Sequence, residues 1–169
     1  MPVRVHYIDF GFKSARDFWE EVMVPAYERF QAEPSRGNAI DASVHAWQVH
    51  EWIWHERHRG QDTKDYRTLY KRFKSDLFAD CPELAWIRDV GEAGKHSGLG
   101  RSPRPNVLRV TTRTLFVGPL NTAPLNTMPF NSLHSETTPL VITLTDGSEH
   151  GFCGVLSRVI EYWRTKHFR

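Results

Sequence analysis

The sequence predicts a single α+β domain: mainly a four-helix bundle, followed by a small antiparallel β-sheet and a C-terminal helix. Three observations predict it. Between Ser14 and Ala93 apolar residues recur at helical spacing; from Asn106 to Phe152 β-branched residues alternate with polar ones around an Asp146-Gly147 turn; and Val155, Leu156, Val159, Ile160 and Trp163 restore the helical period. A chain of 169 residues has the size of one domain and buries roughly two-thirds of its unfolded surface. One core over 1–169 is therefore expected, with 14–100 helical, 106–152 the sheet and 153–168 the last helix.

Ser14 followed by Asp17 reads as an N-cap with an acidic first turn, and Phe18, Trp19, Val22, Met23, Ala26, Tyr27 and Phe30 extend a helix to about residue 32. Pro25 lies inside it and predicts a kink near Glu21 to Pro25. Asn38 is the expected cap of a second helix that reaches His58 and is apolar on two faces. Ile40, Val44, Trp47 and Trp54 form one stripe, and Ala42, Ala46, Val49 and Ile53 another nearly opposite. Such a helix is packed from both sides. Its seams are polar, with Asp41, His45, Gln48 and His55 on one and Ser43, His50 and Arg57 on the other.

Asp62 is the expected cap of a third helix whose core stripe is Tyr66, Leu69, Tyr70, Phe73 and Leu77 and whose outer face is basic. Pro82 favours the first position of a fourth helix running to about Ala93, where Gly91 and Gly94 weaken its end. Strands follow over 106–117, 138–145 and 148–152, joined by a two-residue Asp-Gly hairpin. An edge strand over 3–8 is the remaining sheet candidate. The loop over 118–137 contains the internal repeat P-[LF]-N-[ST]-x at Pro119, Pro124 and Pro129. Its prolines disfavour helix and strand alike, so an extended loop is expected, either mobile or a binding loop.

Composition excludes several classes. With 40% hydrophobic and 25% charged residues the chain is globular rather than disordered. The opening MPVRVHYIDFGFK has no apolar run of signal-peptide length, and no apolar stretch is long enough to span a bilayer. Cys81 and Cys153 have no CxxC partner, which supports neither a disulfide framework nor a zinc ribbon. A cytoplasmic protein without membrane contact or cofactor is expected. Net charge is +2, but no Asp or Glu occurs from Ala93 to Ser135, and Arg57, Arg59, Lys64, Arg67, Lys71, Arg72 and Lys74 form a second basic concentration. Clustered cations make a phosphate-bearing partner plausible, although a solvated helix face explains them as well.

The sharpest local constellation is Arg88-Asp-Val-Gly-Glu-Ala-Gly-Lys-His96. On a continuous helix Arg88, Glu92 and His96 stack at i, i+4 and i+8, flanked by Asp89 and Lys95. There Lys95, with Arg101, Arg104 and Lys71, would bind phosphate, while His96 would act as general acid or base with Arg88, tuned by Asp89 or Glu92. Ordinary helix salt bridges with a histidine near the last carbonyls give the same spacing. A metal reading rests on Asp41 with His45 at i, i+4 and His55 with His58 at i, i+3, against plain packing with hydrogen-bonded seam histidines. HERH at 55–58 falls one residue short of HExxH, and Gly94-Lys95-His96-Ser97 lacks the earlier glycine of a P-loop, since Asp89 stands there.

The string Ile87 to His96 resembles uncharacterised bacterial and phage proteins that carry an RD(I/V)AxxxKH motif, a likeness that brings no activity with it. More distantly, a helical bundle with Arg, a polar neighbour and then His is similar to HEPN domains, many of which are metal-independent ribonucleases acting as dimers. That resemblance implies Arg88 and His96 as the catalytic pair, Asp89 as the polar neighbour and a possible homodimer. Seven residues separate Arg88 from His96, more than that motif carries, and one further residue turns a helical side chain by about 100°. Three readings stay open: a nucleic-acid binder, of RNA above all, or HEPN-like ribonuclease; a non-enzymatic interaction or immunity-type protein using the basic face or the Pro-Leu-Asn-Thr loop on a protein partner; and a histidine metalloprotein.

Overall fold

A computed structural model describes residues 11–59, 65–95, 106–113, 115–116, 136–137 and 139–169. The expected strand over 3–8, the cap at Asp62 and the proline repeat lie outside them.

Ser14 caps α1 (Ala15–Phe18): its hydroxyl accepts from the Asp17 N–H at 3.0 Å, and the Asp17 carboxylate accepts from the Ser14 N–H at 3.2 Å. The chain continues through a π turn (Trp19–Met23) into α2 (Val24–Ala32). Where the kink is expected the backbone widens, with the Val24 N–H donating to the Trp19 carbonyl five residues back. Pro25 has no N–H to give, so the wider turn sits immediately before it.

The central helix, α3 (Arg36–Arg57), starts earlier than Asn38 predicts. Ser35 is its cap, accepting from the Asn38 N–H at 3.2 Å, while the Asn38 side chain donates to the Glu33 carbonyl at 2.8 Å. From Asn38 to His50 no residue is exposed, as the double apolar stripe requires. The first helical segments, α5 (Glu83–Lys95) and α6 (Phe152–His167) all pack on it.

The two neighbours that follow α3 in the chain approach it differently. α5 runs straight through both glycines, which do not fray it. A Cβ at Gly91 would stand 3.2 Å from the Val44 Cα and N, and one at Gly94 would run into the Ile40 side chain. Both glycines therefore mark a close helix crossing rather than a helix end. α4 (Tyr66–Asp80) instead meets α3 through rings: Trp54 lies 5.6, 5.2 and 5.3 Å from Tyr66, Tyr70 and Phe73, and Trp47 lies 5.4 Å from Phe78. Its predicted core stripe is correspondingly shallow. Leu77 is buried, Tyr66, Tyr70 and Phe73 are half-buried, and Leu69 is exposed.

β1 (Val107–Thr112), β4 (Leu140–Leu144) and β5 (Glu149–Gly151) form an antiparallel sheet in the order β1-β4-β5. β2 (Leu115–Phe116) pairs with β3 (Glu136–Thr137) as a short ribbon. The hairpin between β4 and β5 turns through three residues, Thr145 to Gly147, rather than the two expected. The Leu144 N–H donates to the Ser148 carbonyl at 2.9 Å, and Gly147 takes the left-handed conformation at φ +85° that closes such a loop. α6 claims Phe152 from the predicted strand and buries it against Phe30, ring centroids 5.0 Å apart. Trp163, fully buried, donates from its indole N–H to the Ala46 carbonyl at 3.0 Å, fastening α6 to α3.

Gly91→Ala is expected to destabilise the fold by roughly 1–3 kcal/mol, because the opposing atoms are backbone and cannot swing away. Gly154→Ala on α6, whose added Cβ would meet nothing nearer than 3.7 Å, should be neutral or stabilising by up to about 1 kcal/mol. Urea midpoints of the two variants, measured side by side, check this; equal midpoints would contradict the close crossing.

Candidate functional site

The predicted cluster around Arg88 is built on α5, and Asp89 governs its geometry. Asp89 is 1% exposed, although a flanking position on a solvent-facing stack was expected. One carboxylate oxygen accepts from Arg88 Nε and Nη2 at 3.0 and 2.7 Å. The other accepts from the backbone N–H groups of Asn106 and Val107 at 2.6 and 3.3 Å and from the Asn106 side chain at 3.4 Å. The carboxylate is thus fully engaged where β1 begins, and no oxygen is left over for a substrate.

Arg88 is held in turn. Two of its five N–H groups lie on Asp89, and its guanidinium carbon stands 5.1 Å above the Phe78 ring. Glu92 is half-buried further along the helix, and the α5 backbone carries Lys95 at its last position. His96, Arg101 and Arg104 lie outside the described residues. Lys71 is exposed on α4, apart from the α5 constellation in sequence and element. The expected stack of ionisable groups on one face is therefore split: Asp89 turns to the sheet, and Arg88 bridges it to α4.

The histidines of α3 and its end have separate surroundings. Asp41 pairs with His45 at 3.1 Å but also with Arg29 at 2.7 Å, and the other nitrogen of His45 meets Gln48 at 3.3 Å. His55 is exposed. His58 donates from Nδ1 to the Trp54 carbonyl at 2.9 Å and stacks on the Trp54 ring at 3.7 Å. Among the described residues no three His, Cys, Asp or Glu side chains converge as a metal would require.

His50 repeats this arrangement one level deeper. It bonds through Nδ1 to the Trp47 carbonyl, stacks on Trp47 with centroids 3.8 Å apart, and meets the Tyr70 hydroxyl at 2.8 Å through Nε2. A carbonyl can only accept, so Nδ1 carries the proton in the neutral ring and Tyr70 donates to Nε2. Burial drives the His50 pKa down to about 4 and raises that of Tyr70 well above the usual tyrosine range. His167 is lowered to about 4 as well, by burial and then by Arg57 and Lys166. Burial likewise raises the Cys81 thiol to about 11, which leaves it a protonated core group rather than a nucleophile.

Sequence reasoning missed Asn106, Tyr70 and Phe78 as partners. The W-x-x-H and W-x-x-x-H spacings at 47–50 and 54–58 could have signalled the imidazoles stacked on indoles one turn earlier, but not Tyr70, whose contact with His50 is tertiary. Nothing local announced Asn106, whose contact with Asp89 is tertiary. Compared with protein-family models, curated proteins and solved structures, the chain matches none.

Asp89→Ala is expected to cost about 3–5 kcal/mol, since it strands Arg88 and two backbone donors at once. Arg88→Ala should cost less, because its guanidinium is partly solvated and three donors remain on Asp89. Chemical unfolding of both variants checks the order, and the reverse order would refute it. For His50 the folded pKa lies below the ordinary 6.5, so its neutral form stabilises the fold fully above pH 6.5. Stability then falls as the pH drops from 6.5 toward 4, by on the order of 1–2 kcal/mol at pH 5. His50→Phe should show a shallower decline in urea midpoint between pH 7 and 5 than wild type.

Proposed function

We propose that the protein binds nucleic acid, RNA above all, along the basic flank of α4. At about 100° per residue, Arg67, Lys71 and Lys74 follow one another along that flank and lead to Phe78, over which Arg88 sits. Among the described residues none of the three α4 cations has a carboxylate within ion-pair distance. That unneutralised row carries the reading. Lys74 lies 4.6 Å over the Tyr70 ring, and Tyr66 stacks on Tyr70 at 6.1 Å, so aromatic faces alternate with cations as they do on surfaces that hold single strands.

Binding is better supported than cleavage. A HEPN-like ribonuclease step would need Arg88 at the scissile phosphate, yet its fork rests on Asp89, and Asp89 has no free oxygen to tune a histidine. Arg88 contributes to this surface as a fixed positive charge at one end of the row.

The test is fluorescence anisotropy of a short labelled mixed-sequence RNA across a salt series. Wild type should bind with an affinity that falls linearly on a log–log plot against salt. Arg67→Gln/Lys71→Gln/Lys74→Gln should bind at least tenfold more weakly with the same circular dichroism, its salt slope reduced by about 2. Salt-independent binding, or a triple variant indistinguishable from wild type, would overturn the reading.

A further inference from the structure

A cleft of about 230 Å³ opens between the start of α3, the end of α5 and β1, with Asp89 among its lining residues. Its wall is apolar: Ala39, Ile40, Val90, Ala93, Val107 and Val110 line it, with the exposed Leu108 at its edge. Gly94 and Ile40, which meet at the close crossing, both line it, and a side chain at Gly94 would run into Ile40. The only charged side chains among the described lining residues are Arg36, Arg109 and the buried, fully bonded Asp89.

The two arginines differ from their neighbours. Arg88 is matched to Asp89 at 2.7 Å and Arg113 to Glu149 at 2.9 Å. Arg36 and Arg109 have no such partner among the described residues. Each instead touches a threonine hydroxyl, Arg36 on Thr112 at 3.4 Å and Arg109 on Thr143 at 3.3 Å. A guanidinium has five N–H donors in a planar fork suited to a carboxylate, so most of that capacity is unspent at the cleft. Volume bounds the ligand: 230 Å³ is below the roughly 300–1,000 Å³ of a drug-sized pocket, too small for a folded partner or a long peptide.

We propose that this cleft binds a small monocarboxylate with an apolar chain, its carboxylate taken by Arg36 or Arg109 and its chain laid against Ile40, Val90 and Val110. The walls supply the affinity, growing with each buried methylene, and the arginines supply the choice of acid over neutral analogue. The site is independent of the α4 flank and of any nucleic acid bound there.

Isothermal titration calorimetry with straight-chain carboxylates, from butanoate upward and below micelle-forming concentrations, provides the test, each acid run beside its primary alcohol. One-site binding is expected, tightening by roughly fourfold per added CH₂ until the cleft is full, with acids at least tenfold tighter than alcohols. Arg36→Gln/Arg109→Gln should abolish the preference for acid. Ala93→Phe, at an exposed helix position, should fill the cleft and remove binding of both. No saturable binding at any chain length, equal binding of acid and alcohol, or undiminished binding by a folded Ala93→Phe protein would each overturn the proposal, whatever the RNA result.

Discussion

The fold turns on one buried carboxylate. An Asp placed almost wholly out of water carries a heavy desolvation cost unless its charge and its lone pairs are answered, and Asp89 is answered from two directions. Arg88 supplies the opposite charge from the same helix, and the first two residues of the β1 region supply backbone donors from the sheet. Helical and β halves are joined there by electrostatics rather than by apolar contact alone. Two residues later Gly91 brings α5 against the α3 backbone, so the clamp and the closest crossing share one helical turn.

This arrangement decides how the polar residues of α5 are read. A stretch carrying Arg, Asp, Glu, Lys and His in nine residues suggests a reaction centre on spacing alone. Bond by bond, Arg88 and Asp89 satisfy each other and the strand start. Groups held that tightly have little freedom to reorganise around a transition state. Among the described residues, cations without a carboxylate partner include those on α4 and at the rim of the α3–α5–β1 cleft.

Much of the architecture was legible because it rests on local periodicity. The doubly apolar stripe of α3, the Ser14–Asp17 cap and the helical period of α6 are each written in neighbouring residues, and each element formed where its pattern lies. The errors share a different cause. Gly91 and Gly94 read as helix breakers because propensity is a local property, while their actual role depends on Val44 and Ile40 across a helix interface. The α4 stripe looked like core, but ring contacts hold that helix at its edge and leave Leu69 in water. Within the candidate site, Arg88 and Asp89 were found as residues, but the bonds that hold Asp89 were not foreseen, because Asn106 and Val107 are distant in sequence. The partners of His50 and His58 are local too, the backbone carbonyls of Trp47 and Trp54.

The two ways of docking on α3 have a kinetic consequence. α5 is held by interlocked backbones, whereas α4 buries a single residue, Leu77, and otherwise leans on half-covered rings. Its amide protons should therefore exchange through a partial opening that leaves the rest of the domain intact, since cooperative subunits with few buried contacts open at lower free energy than the whole. The helix that carries the row of unpaired cations would then also be the first to open. A flexible polyanion would meet there a surface able to adjust its angle without disturbing the core.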